Sequence, residues 1–101
     1  MYSKNVNLKN FITYDNIERA VKLRGMPFHV TPEQLVDFFR DFNITTSDVV
    51  IEQRNGKMTG FGLVFLANPD EAERAKRDLH RQYIGKRYVE LSSPDPEWIE
   101  R

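Results

Sequence analysis

Hydrophobic and polar positions along this chain fall into two periods, and the clearest stretch of the shorter one is 60–66, Gly-Phe-Gly-Leu-Val-Phe-Leu. Alternation puts Phe61, Leu63 and Phe65 on one face and Gly62, Val64 and Leu66 on the other. One face meets the core. The other carries two Phe and a Leu toward solvent or a ligand, and such an apolar row marks a binding surface on a small domain. The glycines at 60 and 62 mark places where another group comes close to the backbone. Three more strands follow the same period. In 20–24, Val21 and Leu23 point inward and Lys22 and Arg24 outward. In 88–91, Val89 and Leu91 point inward and Tyr88 and Glu90 outward. In 48–53, with Val49, Val50 and Ile51 at its middle, the inward register stays open.

The longer period predicts helices over 31–42 and 69–80. Thr31 caps the first, Pro32 takes the first helical position, and Gln34 completes a capping box ahead of Leu35, Phe38, Phe39 and Phe42. Asn68, Pro69 and Glu71 repeat those signals before an inner stripe of Ala72, Ala75 and Leu79. Asn55-Gly56 between apolar runs predicts a hairpin. Residues 81–86 read as a loop. Residues 1–18 have no clean period and read as a flexible lead-in, 19–92 as the folded domain, and 93–101 as a linker or the start of another segment. Trp98 either opens that segment or folds back over Phe61 and Phe65. The element order β-α-β-β-α-β predicts an α+β, ferredoxin-like sandwich: a four-stranded antiparallel sheet, strand order four-one-three-two, with both helices on one face.

Composition narrows the chemistry. Of the 101 residues, 40% are hydrophobic and 30% charged, so the chain can bury a modest core. It has no cysteine, which removes disulfides, thiol nucleophiles and thiolate metal sites. No run reaches membrane-spanning length, and the first residues are too polar for a signal peptide. His29 and His80 form no constellation with a nucleophile or a metal-ligand spacing, so neither an enzyme nor a cofactor is expected. Fifteen basic and fifteen acidic residues cancel, which argues against simple electrostatic coating of nucleic acid.

Topology redistributes that neutral total. Three connections share one edge of the predicted sheet: strand one to helix one, strand two to strand three, and helix two to strand four. They gather six cationic side chains (Arg24, Arg54, Lys57, Arg81, Lys86, Arg87) and three aromatic ones (Phe28, Tyr83, Tyr88). Cations suit phosphates, and aromatic and guanidinium planes suit unpaired bases.

Residues 20–92 resemble an RNA recognition motif. That family's third strand reads basic-Gly-aromatic-Gly-aromatic-aliphatic-x-aromatic; here it is Thr59-Gly60-Phe61-Gly62-Leu63-Val64-Phe65-Leu66. Leu63 and Lys22 stand where further stacking rings are usual, which leaves Phe61 and argues against ordinary base stacking on the sheet. The departures resemble the quasi-RNA-recognition motifs of heterogeneous nuclear ribonucleoproteins F and H. Val21-Lys22-Leu23-Arg24-Gly25-Met26-Pro27-Phe28 matches their first strand. Gly56-Lys57-x-Thr59-Gly60 matches their second-to-third-strand turn, and Arg81-Gln82-x-Ile84-Gly85-Lys86-Arg87-Tyr88-Val89-Glu90-Leu91 their approach to the last strand. The resemblance implies binding of single-stranded, G-rich RNA through the loop edge, with Arg24, Phe28, Arg87 and Tyr88 at the family's contact positions. Lys22, Lys57, Arg81 and Lys86 join the candidate set, as does Phe61, where the family often has an acidic residue. It further implies RNA processing such as splicing, in nucleus or cytoplasm with an organelle left open, a monomer, other RNA-processing proteins as partners, and no membrane. A second reading uses the same fold to capture a peptide. Helix one is acidic at Glu33, Asp37 and Asp41, and Arg81-Gln82-Tyr83 faintly echoes the Arg-x-Phe of such modules, though early in its loop.

Overall fold

The computed structural model describes residues 4–99, so the outermost parts of the expected lead-in and tail, 1–3 and 100–101, lie outside the described residues. The elements run β1 (Ala20–Arg24), α1 (Pro32–Phe38), β2 (Val49–Arg54), β3 (Lys57–Phe65), α2 (Pro69–Leu79), β4 (Gln82–Ile84) and β5 (Arg87–Ser92). All strand pairs are antiparallel, in the order β2-β3-β1-β5-β4. Among the described residues the sheet therefore has five strands where four were expected. The addition is β4, inside the stretch read as a loop. Ile84 pairs with Arg87 across a two-residue turn of Gly85-Lys86, a connection short enough to close a hairpin.

Local signals account for most boundaries. The Thr31 hydroxyl accepts from the Gln34 N–H at 3.1 Å, and the Gln34 side chain accepts from the Thr31 N–H at 2.9 Å. This helix ends earlier than its apolar spacing suggests. Phe39 leaves helical geometry, Arg40–Phe42 tighten into a 3-10 turn, and Asn43 turns left-handed at φ 56°, which returns Phe42 and Ile44 to the core. At α2 the Asn68 side chain accepts from the Glu71 N–H, but Glu71 does not close the box. Its carboxylate instead takes two bonds from the Arg74 guanidinium, at 2.8 and 2.9 Å, a stronger charge-assisted pairing. Asn55 and Gly56 both adopt positive φ, as a tight two-residue hairpin requires.

The main core lies between the helices and one sheet face: Val21, Leu23, Val64, Leu66, Val89 and Leu91 meet Leu35, Phe39, Ala72 and Ala75. Gly62 belongs to this face. A Cβ there would stand 2.7 Å from Met26 Cε and 2.9 Å from the Val50 carbonyl, so the close approach read from its position is made by the protein itself.

The opposite face is not open. A 3-10 turn at Leu8–Phe11 lays Leu8 and Ile12 against Ala20 and Leu63, and all four are buried. Phe61, Phe65, Trp98 and Ile99 pack around them, half-buried. Residues 4–18, expected as a flexible lead-in, thus cover the row of Phe61, Leu63 and Phe65 that was expected to face solvent or a ligand, and Trp98 folds back to help. The driving force is the apolar area that this row would otherwise leave in water.

Candidate nucleic-acid interface

Arg24 ends β1 between Phe61 of β3 and Glu90 of β5. Its guanidinium lies 3.7 Å from the Glu90 carboxylate and is largely exposed. Gly25 follows at φ 89°, and a Cβ there would sit 3.2 Å from the Tyr88 carbonyl; only glycine meets both demands without strain. Met26 is buried, and its N–H donates to the Gly60 carbonyl at 3.0 Å. That bond pins the loop to β3 and leaves the Phe28 ring outside, 59% exposed.

Two depressions flank this loop. One, of about 350 Å³, brings together Arg24, Tyr83, Lys86, Arg87, Tyr88 and Glu90. The other, of about 530 Å³, is lined by Phe28, His29, Gly56, Lys57 and Met58. Tyr83 and Tyr88 oppose one another across β4 and β5, ring centres 6.2 Å apart and nearly edge-on. Both stay more than half exposed (64% and 51%), so they brace each other and still present ring surface. Three cations against one carboxylate make the first depression electropositive, and the Glu90–Arg24 pair restrains the guanidinium rather than neutralising the whole site.

Six sequence candidates thus line the two depressions: Arg24, Phe28, Lys57, Lys86, Arg87 and Tyr88. Three do not. Arg81 precedes β4, where its N–H donates to the Val89 carbonyl at 2.7 Å. Gln82 pairs with Val89 and Arg24 with Glu90, so Arg81 stands in the row of Arg24, two strands away, and lines neither depression. Lys22 and Phe61 belong to the covered face. The Lys22 side chain is 20% exposed, its Nζ 3.9 Å from Asp95 and 5.5 Å from the centre of the Trp98 ring. Phe61 is packed into the second cluster. Tyr83, absent from the candidate set, belongs to the site; the pattern Gln-Tyr-Ile, Gly-Lys, Arg-Tyr-Val carries the hairpin signal that aligns it with Tyr88.

On the helix side of the sheet, a groove of about 390 Å³ runs between α1 and β4, with Glu33, Asp37, Phe38 and Arg40 on one side and Tyr83, Ile84 and Gly85 on the other. Among the described residues no cluster of His, Asp and Glu is placed to hold a metal ion. The perturbed titrations are also remote. The hydrogen bond from Arg74, helped by its charge and opposed by partial desolvation, holds the Glu71 carboxyl below its ordinary range; the same bond raises Arg74. Arg74 also lies 4.0 Å over the Phe42 ring and donates to the Asp41 carbonyl, joining α2 to the 3-10 turn that follows α1.

The family model for the RRM domain, the RNA recognition motif, matches residues 21–99. The chain belongs to this family. Human G-rich sequence factor 1 is 37% identical over 72 residues, which is 71% of this chain and 15% of that protein. A crystal structure of the human G-rich RNA sequence binding factor 1 superposes with a TM-score of 0.68 at 27% identity, covering 77% of this chain and 81% of the solved one. Mouse heterogeneous nuclear ribonucleoprotein F is 36% identical over 80 residues, 78% of this chain and 19% of that protein. The Glorund qRRM2 domain gives a TM-score of 0.65 at 31% identity, covering 77% of this chain and 90% of that domain. Within the RRM family the chain resembles the quasi-RNA-recognition motifs of the F and H proteins, and it spans less than a fifth of the length of these two curated relatives.

Proposed function

We propose that this domain binds unpaired, G-rich RNA at the loop edge of its sheet. The observation that carries the reading is the convergence of Arg24, Lys86 and Arg87 with Tyr83 and Tyr88 in one depression beside the exposed Phe28, while the family's usual stacking face is covered. Tyr88 and Phe28 stack on splayed bases. Arg87 stacks or donates two parallel hydrogen bonds to a guanine edge, which a planar guanidinium does and an ammonium does not. Arg24, held by Glu90, takes a second base, and Lys57 and Lys86 meet phosphates. The G-rich preference is supported by the relatives named for it. Because the chain spans a small part of those relatives, work in RNA processing such as splicing, in nucleus or cytoplasm, is proposed for a longer protein that would carry this domain.

Fluorescence-anisotropy titration with G-rich, U-rich and A-rich single strands, and with a G-rich strand annealed to its complement, tests the reading. Tightest binding to the unpaired G-rich strand is expected; equal binding to the duplex overturns it. The groove between α1 and β4 favours a second reading, capture of a basic, aromatic-bearing peptide, because it sets Tyr83 opposite Glu33 and Asp37. A peptide titration that saturates where the oligonucleotide does not would establish that reading instead.

A further inference from the structure

We infer that the N-terminal segment extends the RNA-binding edge with an amide-lined subsite for a nucleotide flanking the G-rich element. This rests on the reading just given. Val6 and Gln53 exchange both backbone hydrogen bonds, at 2.9 and 3.1 Å, so the segment forms one more row beyond β2. The Lys4 carbonyl accepts from the Gly56 N–H, and Asn5 Oδ1 from the Asn55 N–H, each at 2.7 Å. These bonds fasten the segment to the tip of the β2–β3 hairpin. Between them lies a depression of about 390 Å³ lined by Asn5, Asn7, Glu52, Gln53, Arg54 and Asn55. It shares that hairpin with the depression beside Phe28, whose wall is Gly56 and Lys57. Three depressions therefore follow one another along one edge, from β5 to the N-terminal row. At about 4.8 Å per neighbouring strand this path is roughly 19 Å long.

The chemistry of the third depression fits a base edge. Asn5 and Asn7 use their side-chain oxygens within the protein, the latter accepting from the Lys9 N–H at 3.3 Å. Their Nδ2 groups have no hydrogen-bond partner among the described residues, and both side chains are exposed. The Glu52 carboxylate is engaged by the Thr59 hydroxyl at 2.9 Å. What faces an incoming group is thus the two amide donors and, at the hairpin, the Arg54 guanidinium, with the second Glu52 oxygen left as an acceptor. The carbonyl and ring-nitrogen acceptors of an unpaired base meet those donors, and a phosphate meets Arg54.

The test compares a G-rich oligonucleotide of about five nucleotides with versions extended by about four on either side. Asn5→Asp keeps the oxygen that Asn55 uses and replaces the donor; Asn7→Ser stays neutral and keeps an oxygen for Lys9. Each variant's thermal midpoint is expected to match that of the parent. The parent is expected to bind one extended strand roughly three- to tenfold tighter than the short one, the worth of one or two hydrogen bonds. The variants are expected to bind the short strand as the parent does and to lose that gain. Equal affinity of the parent for all lengths, or a gain that survives both substitutions, overturns the subsite and leaves the loop-edge reading standing. Failure of the parent to bind even the short strand overturns both.

Discussion

Tyr88 and Phe61 make opposite bets on where a base would stack, and a pair of substitutions separates them. Tyr88 is half exposed at the loop edge, where its ring meets Tyr83 but belongs to neither buried cluster. Base–aromatic stacking is worth about 1–3 kcal/mol, so Tyr88→Ala is expected to weaken binding to a G-rich strand about tenfold with the thermal midpoint nearly unchanged. Arg87→Lys keeps the charge and loses the planar fork, and a weaker affinity is expected here too. Phe61→Ala removes contacts with the cluster of Leu8, Ile12 and Leu63. It is expected to cost about 1–3 kcal/mol of stability, read by denaturant unfolding, and to leave affinity intact. Loss of binding in Phe61→Ala with silent Tyr88→Ala would place the RNA on the sheet face. Residue types, strand order and the family resemblance named Arg24, Phe28, Arg87 and Tyr88, and the structure sets them beside one another in two neighbouring depressions. They did not show that Lys22 and Phe61 lie on a covered face, because outward parity names a face and says nothing of what another part of the chain lays on it.

Most elements with a local signal were legible, the short β4 hairpin strand excepted, and those held by distant contacts were not. The capping box at Thr31 and the Asn55-Gly56 turn act within a few residues, so they survive folding unchanged. The turn at Leu8–Phe11 has no such autonomy; Leu8 and Ile12 are placed by Leu63 and Ala20, far along the chain. Leu8→Ala is accordingly expected to destabilise the domain by about 2 kcal/mol or more in denaturant unfolding, with RNA affinity unchanged well below the transition. The joint between α2 and α1 has a pH dependence of known sign. The Glu71 carboxyl is lowered from an ordinary value of 4.5, first by its hydrogen bond from Arg74. A depressed carboxyl stabilises the fold above its unfolded pKa and loses that contribution as pH falls through the folded one. Thermal midpoints are therefore expected to fall more steeply below about pH 4.5 in the parent than in Glu71→Gln. Equal slopes would show that this pair is uncoupled from folding.

At the scale of the whole molecule, a net charge of zero has to be reconciled with a polyanionic ligand. The fold does so by segregation. Arg24, Arg54, Lys57, Lys86 and Arg87 line one edge, whereas Arg74, Lys76 and Arg77 on α2 are tied to Glu71, Glu73 and Asp78. Arg81 lines neither depression, and Arg24 is partly engaged by Glu90. With Arg87 given to a base, about three cations are left for phosphates. Each phosphate contact to a single strand adds about 0.7 to the slope of log affinity against log salt, so a slope near 2 is expected. A protein that coats nucleic acid electrostatically would show a far steeper dependence and would take duplex as readily as single strand. Titrations of one G-rich strand from low to high salt measure the slope directly. A value near 2, with a clear preference for the unpaired strand at every salt concentration, means that affinity resides in stacking and base-edge bonds on a short cationic strip. A slope several times larger would mean that phosphates bind across much more of the surface than this edge, and the interface would have to be redrawn to include α2.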